Sequence, residues 1–118
     1  MKNFFIPYEI ACELRRKGFD EECFGRFVNG ELLDYKNHNQ DSYHWTNEII
    51  NAPSYQQVID WFREEWEVEI HSPVKQIEED EYGCVVGWCG VEDWAGQYYA
   101  PTYYESLNKG LEKAIKLI

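Results

Sequence analysis

The fold is decided by one pattern that occurs twice, Ala52-Pro53-Ser54-Tyr55-Gln56-Gln57-Val58 and Ala100-Pro101-Thr102-Tyr103-Tyr104-Glu105-Ser106. A hydroxyl residue, Ser54 or Thr102, stands where the N-cap of a helix belongs, and a Gln or Glu follows three residues later. This is the spacing of a capping box, which satisfies free backbone N–H groups at a helix start. The preceding proline disfavours helical backbone before it. The pattern therefore predicts two helices that begin directly after these hydroxyl residues.

Apolar periodicity extends the two starts into helices over about residues 55–65 and 103–117. A further helix is predicted over about residues 7–17, because proline suits a first helical turn and Gly18 suits a left-handed C-cap. We expect Phe19 to fold back onto Leu14, as it does in a Schellman ending. The chain thus carries three predicted helices.

Strands are predicted where apolar residues alternate with polar ones or form short runs between turn residues. The pair Asn29-Gly30 separates the first two strands and is a strong hairpin signal. The predicted strands cover residues 23–28, 31–35, 43–50, 68–70, 84–91 and 94–99. Residues 1–118 are therefore expected to form a single α+β domain, with three helices packed against a mostly antiparallel sheet of four to six strands in two layers.

The charge of the chain is strongly acidic and unevenly placed. It has 22 acidic and 11 basic residues, and residues 64–105 hold eleven of the acids with one base, Lys75. Phosphates and anionic membranes both attract Lys and Arg, so direct nucleic-acid or membrane binding is not expected. The run Glu78-Glu79-Asp80-Glu81 predicts a solvated hairpin tip, since it lacks the alternating ligands and glycine of a calcium loop.

No stretch predicts export or a membrane span. The apolar Phe4-Phe5-Ile6 is too short for a signal peptide, and no uncharged apolar run approaches the about 20 residues of a spanning helix. We therefore expect a cytoplasmic protein whose four cysteines remain free thiols.

Five stretches occur in an order that is similar to a family of small proteins from Bacteroidetes genomes, their phages and mobile elements. They are FFIPYEIA at 4–11, GFDE at 18–21, APSYQQVIDWFRE at 52–64, YYESL at 103–107 and AIKLI at 114–118. Together they cover about a third of the chain. The resemblance implies no activity and no catalytic or binding residues, because that family has no assigned function.

Two sets of residues could carry chemistry. His38 and His44, with Asp41 between them, could form a metal pair or an acid–base centre, but their spacing matches no zinc signature, which favours ordinary loop histidines. Cys84 and Cys89 would face opposite sides of a strand, so neither chelation nor a disulfide is expected.

Aromatic residues form the largest surplus, with five Trp, nine Tyr and six Phe. Tyr55, Phe62 and Trp66 fall on the apolar stripe of the second helix and are predicted to be core. Other rings lie off such stripes, and exposed Trp and Tyr are typical interface anchors. The candidate partner-binding residues are Trp45, Trp61, Trp94, Tyr98 and Tyr99. The alternative is that a thin domain buries these rings at its margins.

Three functions remain open from the sequence. The first is a non-enzymatic protein-binding or adaptor protein, such as one encoded by a phage or mobile element, because no catalytic, cofactor or metal motif is present. The second is an acidic mimic of DNA that inhibits a nucleic-acid-binding protein through residues 64–105. The third is a small-molecule binder or enzyme that uses His38 and His44. Another protein is the expected partner, no cofactor is expected, and the oligomeric state stays open.

Overall fold

A computed structural model of the protein describes residues 4–33, 49–90 and 94–118. Three helices and seven strands lie in these residues, and the strands form two antiparallel sheets. The predicted α+β class with three helices is confirmed, but the strands are divided between two sheets where one was expected. The physical reason is that periodicity predicts where a strand lies and not which strand it pairs with. Contacts divide the chain into two compact units, Met1–Gln57 and Val58–Ile118.

The first unit contains a helix that packs on a three-stranded sheet. The strands β1 (Gly25–Val28), β2 (Glu31–Leu33) and β3 (Ile49–Ala52) are ordered β2-β1-β3, and α1 (Tyr8–Arg16) contacts β3. The strand predicted over residues 43–50 appears as β3, and residues 43–48 of that prediction lie outside the described residues.

The turns of the first unit follow the local signals closely. The N–H of Phe19 donates to the carbonyl of Leu14 at 3.0 Å and that of Gly18 to Arg15 at 3.1 Å, which is the predicted Schellman ending. Gly18 has φ +98°, and the hairpin pair Asn29-Gly30 has φ +53° and +84°. Positive φ at both turn residues matches the right-handed twist of the flanking strands, so this hairpin forms as predicted.

The helices α2 (Tyr55–Trp66) and α3 (Tyr103–Leu117) begin where the doubled pattern predicts. The Oγ of Ser54 accepts a hydrogen bond from the backbone N–H of Gln57 at 3.1 Å. Thr102 Oγ1 accepts one from the N–H three residues later at 3.2 Å. Both hydroxyl caps are therefore confirmed.

The side chain of Gln57 forms hydrogen bonds to the connector that follows α1. Its Nε2 donates to the Glu21 carboxylate at 3.2 Å and to the Glu22 carbonyl at 2.9 Å. Nearby, Asn51 Nδ2 donates to the Glu21 carbonyl at 3.0 Å. Gln57 therefore fixes the start of α2 to the preceding connector, a role that the capping-box pattern does not predict.

Loss of either cap should weaken the fold measurably. We expect Ser54→Ala and Thr102→Ala each to lower the free energy of unfolding by about 0.5–2 kcal/mol, because each leaves a helix N–H without its side-chain acceptor. Urea unfolding of the two variants measures this loss, with Thr102→Ser as the control that keeps the hydroxyl. Unfolding curves that overlay the parent would show that these caps contribute nothing.

The second unit is built around one central strand. The strand β6 (Glu81–Trp88) pairs antiparallel with β4 (Val68–Ile70) and β5 (Val74–Gln76) along one side and with β7 (Trp94–Ala100) along the other. The helix α3 packs across β6, β7 and β4. Strand β5 was not predicted, because three residues of sequence Val-Lys-Gln carry no alternation.

Helix α3 approaches the sheet very closely at one point. A Cβ at Gly110 would lie 2.5 Å from Cys84 Sγ and 3.3 Å from Val86 Cγ2. Ser106 is fully buried one turn earlier, and its Oγ donates to the Tyr98 carbonyl at 2.7 Å. The helix is thus held by close packing at a glycine and by a satisfied buried hydroxyl.

Among the described residues, no helix combines the length and apolar character that crossing a membrane requires.

Candidate binding trough on the second sheet

The second sheet places alternate residues of β6 on opposite faces. Cys84 and Val86 lie against Gly110 of α3. Gly83 and Val85 therefore lie on the face that is turned away from α3, which we call the open face. This face carries a cavity.

A trough of about 290 Å³ lies over Gly83 in the open face. Val74 pairs with Gly83 from β5 and Tyr99 pairs with it from β7. These two side chains are 63% and 39% exposed. The polar part of the lining comes from His71, Ser72, Gln76 and Gln97. The trough thus combines apolar surface with amide, imidazole and hydroxyl groups that can form hydrogen bonds.

The Tyr99 ring can form a wall of the trough because Gly83 has no side chain. A Cβ at Gly83 would lie 2.8 Å from Tyr99 Cε1, so only glycine lets the ring lie on the central strand. The Tyr99 hydroxyl donates to the side-chain carbonyl of Gln97. The backbone carbonyl of Tyr99 accepts from Lys109 Nζ at 2.8 Å. The ring is therefore held in place before any ligand arrives.

The opposite wall is a β-bulge. Ile70 pairs with Val86, and Val74 pairs with Gly83. Three residues lie between Ile70 and Val74 but only two between Gly83 and Val86, so one extra residue is inserted opposite β6. The His71 N–H donates to the Val85 carbonyl at 2.9 Å. The buried Cys84 thiol donates to the His71 carbonyl at 3.2 Å. Burial raises the pKa of this thiol to about 11, so it stays protonated and remains a donor at neutral pH.

One end of the open face is closed by an ion pair. Arg63 donates to both carboxylate oxygens of Glu69, with Nη2–Oε1 at 2.8 Å and Nε–Oε2 at 3.0 Å. The hydrogen bonds from Arg63 lower the pKa of the Glu69 carboxyl. Cys89 Sγ lies 3.5 Å from Glu69 Oε2, and burial together with this carboxylate raises the pKa of the Cys89 thiol. The charge of Glu69 is therefore already matched by an arginine.

The other end of the open face is acidic. Glu81 begins β6 next to Gln76, and the preceding turn exposes Glu78, Glu79 and Asp80. Asp80 lies 3.5 Å from Lys75. The predicted solvated hairpin tip is thus confirmed for residues 78–80, whereas Glu81 is half-buried at the start of β6.

The three predicted partner-binding aromatics whose side chains the structure describes, Trp61, Tyr98 and Tyr99, do not share one exposed patch. Tyr99 is exposed in the trough, whereas Tyr98 pairs with Cys84, shares its face and is half-buried. Trp61 is only 4% exposed, which agrees with the alternative that the domain buries some of these rings. Trp66, predicted to be core, is 39% exposed. The burial of Trp61 and the exposure of Trp66 are therefore the reverse of what a single apolar stripe along α2 predicts.

The remaining predicted residues cannot be placed in a site. Trp45, His38 and His44 lie outside the described residues, as does the side chain of Trp94. Within the described ranges, no group of three or more His, Cys, Asp or Glu side chains is arranged to hold a metal ion.

The four cysteines are free thiols, and two of them should be unusually unreactive. Burial raises the pKa of Cys23 and of Cys84 to about 11. Since the thiolate is the reactive form, we expect both to react slowly with a thiol reagent at pH 8 in the native protein. Titration in denaturant without reductant should report all four thiols. A smaller total would show that disulfides form in the isolated protein.

Sequence reasoning missed most of the trough lining. His71, Ser72, Gln76 and Gln97 belong to no motif, and they meet only because β5 and β7 flank β6. Gly83 lies inside β6, where a glycine marks close approach of another group, but the strand was predicted to begin only at residue 84. That signal does not say which ring approaches.

No family model, curated protein or solved structure matches the chain. The geometry of the trough and the charge around it are therefore the basis for a functional proposal.

Proposed function

We propose that this is a non-enzymatic binding protein whose trough holds an extended, basic segment of another protein. The observation that carries the proposal is the row in which exposed Val74 and Tyr99 flank Gly83, on a sheet face where the described residues leave a trough with hydrogen-bonding side chains along both walls.

The chemistry of the lining suits a peptide. Val74 and Tyr99 offer apolar surface to one side chain, and an exposed Tyr adds a ring that loses little conformational freedom on binding. Gln76 and Gln97 each present both a donor and an acceptor to peptide groups. A shallow trough with this lining favours one anchoring side chain and its neighbouring backbone.

The charge around the trough determines whether a basic or an acidic partner is favoured. The unit Val58–Ile118 contains thirteen acidic and five basic residues, a formal charge of −8. The turn that carries the exposed acids directly follows Gln76, which lines the trough, so a basic segment is attracted and an acidic one repelled. The partner is therefore expected to present Lys or Arg within a few residues of its apolar anchor.

The proposal extends to where the protein acts. Four free thiols suit a reducing cytoplasm, and the similarity to proteins of Bacteroidetes phages and mobile elements suits a partner in such a host cell. A mimic of DNA remains the second candidate, because the same exposed acids could face a nucleic-acid-binding protein.

Selection from a phage-displayed random peptide library on the purified full chain tests the proposal. We expect the enriched peptides to contain Lys or Arg within a few residues of an aliphatic residue. Val74→Glu should weaken their binding about tenfold or more, because it places a charge where the apolar anchor must be buried. Leu32→Ser, which alters an exposed apolar residue of the first unit, is the matched control and should leave binding unchanged.

Three outcomes would contradict the proposal: no enrichment, enriched peptides that are acidic, or binding that Val74→Glu does not change. Binding that survives Val74→Glu but disappears when Glu78, Glu79 and Asp80 are replaced by Ser or Asn would move the DNA mimic to first place.

A further inference from the structure

We infer that the bound segment carries its basic residue two positions from its apolar anchor, with the base at the Glu81 end of the trough. This inference rests on the proposed function and specifies the sequence of the partner. It follows from the spacing of the open face and from the unequal charge of its two ends.

The open face is organised in rows that cross β6. In one row Gln76 lies beside Glu81; in the next, Val74 and Tyr99 flank Gly83; in the third, Gln97 lies beside Val85. Rows two residues apart are separated by about 6.6–7 Å, which is also the spacing of alternate side chains in an extended peptide. A segment that runs along β6 therefore places residues i and i+2 over successive rows.

The apolar row fixes the position of the anchor. Gly83 contributes no side chain and the Tyr99 ring lies over it, so Val74 and Tyr99 supply the exposed apolar surface of this row. An aliphatic side chain of the partner fits there because it buries apolar area against both walls.

The two ends of the trough then receive different residues. At the Glu69 end, Arg63 already supplies two hydrogen bonds to the carboxylate. At the other end, the only ion pair that the structure describes among the acids of residues 78–81 is the one between Asp80 and Lys75. An added Lys or Arg gains most at the Glu81 end, where it approaches carboxylates that are less neutralised.

The third row favours an uncharged polar residue in the bound segment. Gln97 and the bulge residue His71 flank Val85, so a side chain placed there meets an amide and an imidazole. Asn, Gln, Ser or Thr can hydrogen-bond to both groups. The expected pattern is thus basic, any, aliphatic, any, uncharged polar, in one of the two chain directions.

Blocked synthetic pentapeptides and the full chain test the spacing by NMR titration of the protein amides. The probes are Lys-Ser-Leu-Ser-Asn, its reverse Asn-Ser-Leu-Ser-Lys, and the isomer Ser-Lys-Leu-Ser-Asn, which has the same composition with the base next to the anchor. We expect one of the first two to bind about fivefold more tightly than the isomer, the difference that one exposed ion pair provides.

Reversing the charge of residue 81 then tests where the basic residue of the peptide lies. Glu81→Lys should remove the preference for Lys-Ser-Leu-Ser-Asn, or for its reverse, and create one for the same peptide with Glu in place of Lys. Glu112→Lys changes the net charge equally from an exposed position on α3 and should leave the parent preference intact.

The inference is overturned if the isomers bind equally, if Glu81→Lys acts no more strongly than Glu112→Lys, or if none of the pentapeptides binds. These results leave the proposed function standing when library-selected peptides still depend on Val74. Loss of that dependence overturns the proposed function itself, so the two failures are distinguishable.

Discussion

Replacement of Trp61 by alanine is expected to lower the free energy of unfolding by about 3–5 kcal/mol, the range for truncation of a buried aromatic. Trp61 is 4% exposed, and its ring packs edge-on against Phe62 with ring centroids 5.1 Å apart. The substitution removes the indole and leaves a cavity in a close-packed region. Urea unfolding at neutral pH measures the loss.

Trp66 provides the matched control on the same helix. It is 39% exposed at the last residue of α2, so Trp66→Ala should reduce stability by about 1 kcal/mol or less. Equal losses for the two variants, or a larger one for Trp66→Ala, would contradict the burial of Trp61 and restore the assignment that the apolar stripe predicts.

Replacement of Gly110 by valine is expected to lower the free energy of unfolding by about 2–3 kcal/mol, near the upper end for overpacking in a core. Its Cβ would meet Cys84 Sγ at 2.5 Å, and the branched methyl groups need further space beside Val86. Helix propensity works in the opposite direction, because glycine inside a helix is unfavourable by about 1 kcal/mol relative to alanine. The clash is expected to exceed that gain.

A double-mutant cycle isolates the contact with the thiol. In a Cys84→Ala background, the Cβ of Gly110→Ala still lies 3.3 Å from Val86 Cγ2 and 3.5 Å from the Cβ of residue 84, but the 2.5 Å contact with Sγ is removed. We therefore expect Gly110→Ala to destabilise the Cys84→Ala protein less than it destabilises the parent, with a coupling energy of about 1 kcal/mol. Strictly additive losses would show that the helix does not rest on Cys84.

The helices could be predicted from the sequence because their signals are local. Ser54, Thr102 and Gly18 act on backbone groups within a few residues, so the pattern contains both the residue and its partner. The hairpin at Asn29-Gly30 is local in the same sense. Strand pairing is not, and the division of the strands into two sheets depends on contacts between distant residues.

The candidate site was harder to predict, for two physical reasons. A single apolar stripe assumes that a helix is buried on one side, and Trp61 shows that α2 is buried more widely than that. Trp66 ends the helix, and the next residue, Glu67, has φ +54°, so the chain turns away from the helical direction there. The trough depends on which strands pair with β6, and this pairing has no local pattern in the sequence. Among the lining residues, only Gly83 indicates that another group packs closely there.

The placement of β6 has a consequence for how the second sheet opens. Strands β4, β5 and β7 each form their ladder with β6, so its backbone holds the hydrogen bonds of both flanks at once. Opening of this strand removes the pairing of the whole sheet in one step, whereas β7 can detach and leave β4 and β5 in place. Amide hydrogens of β6 should therefore exchange with solvent only through the largest opening of the unit, and the trough should exist only while that cooperative element is closed.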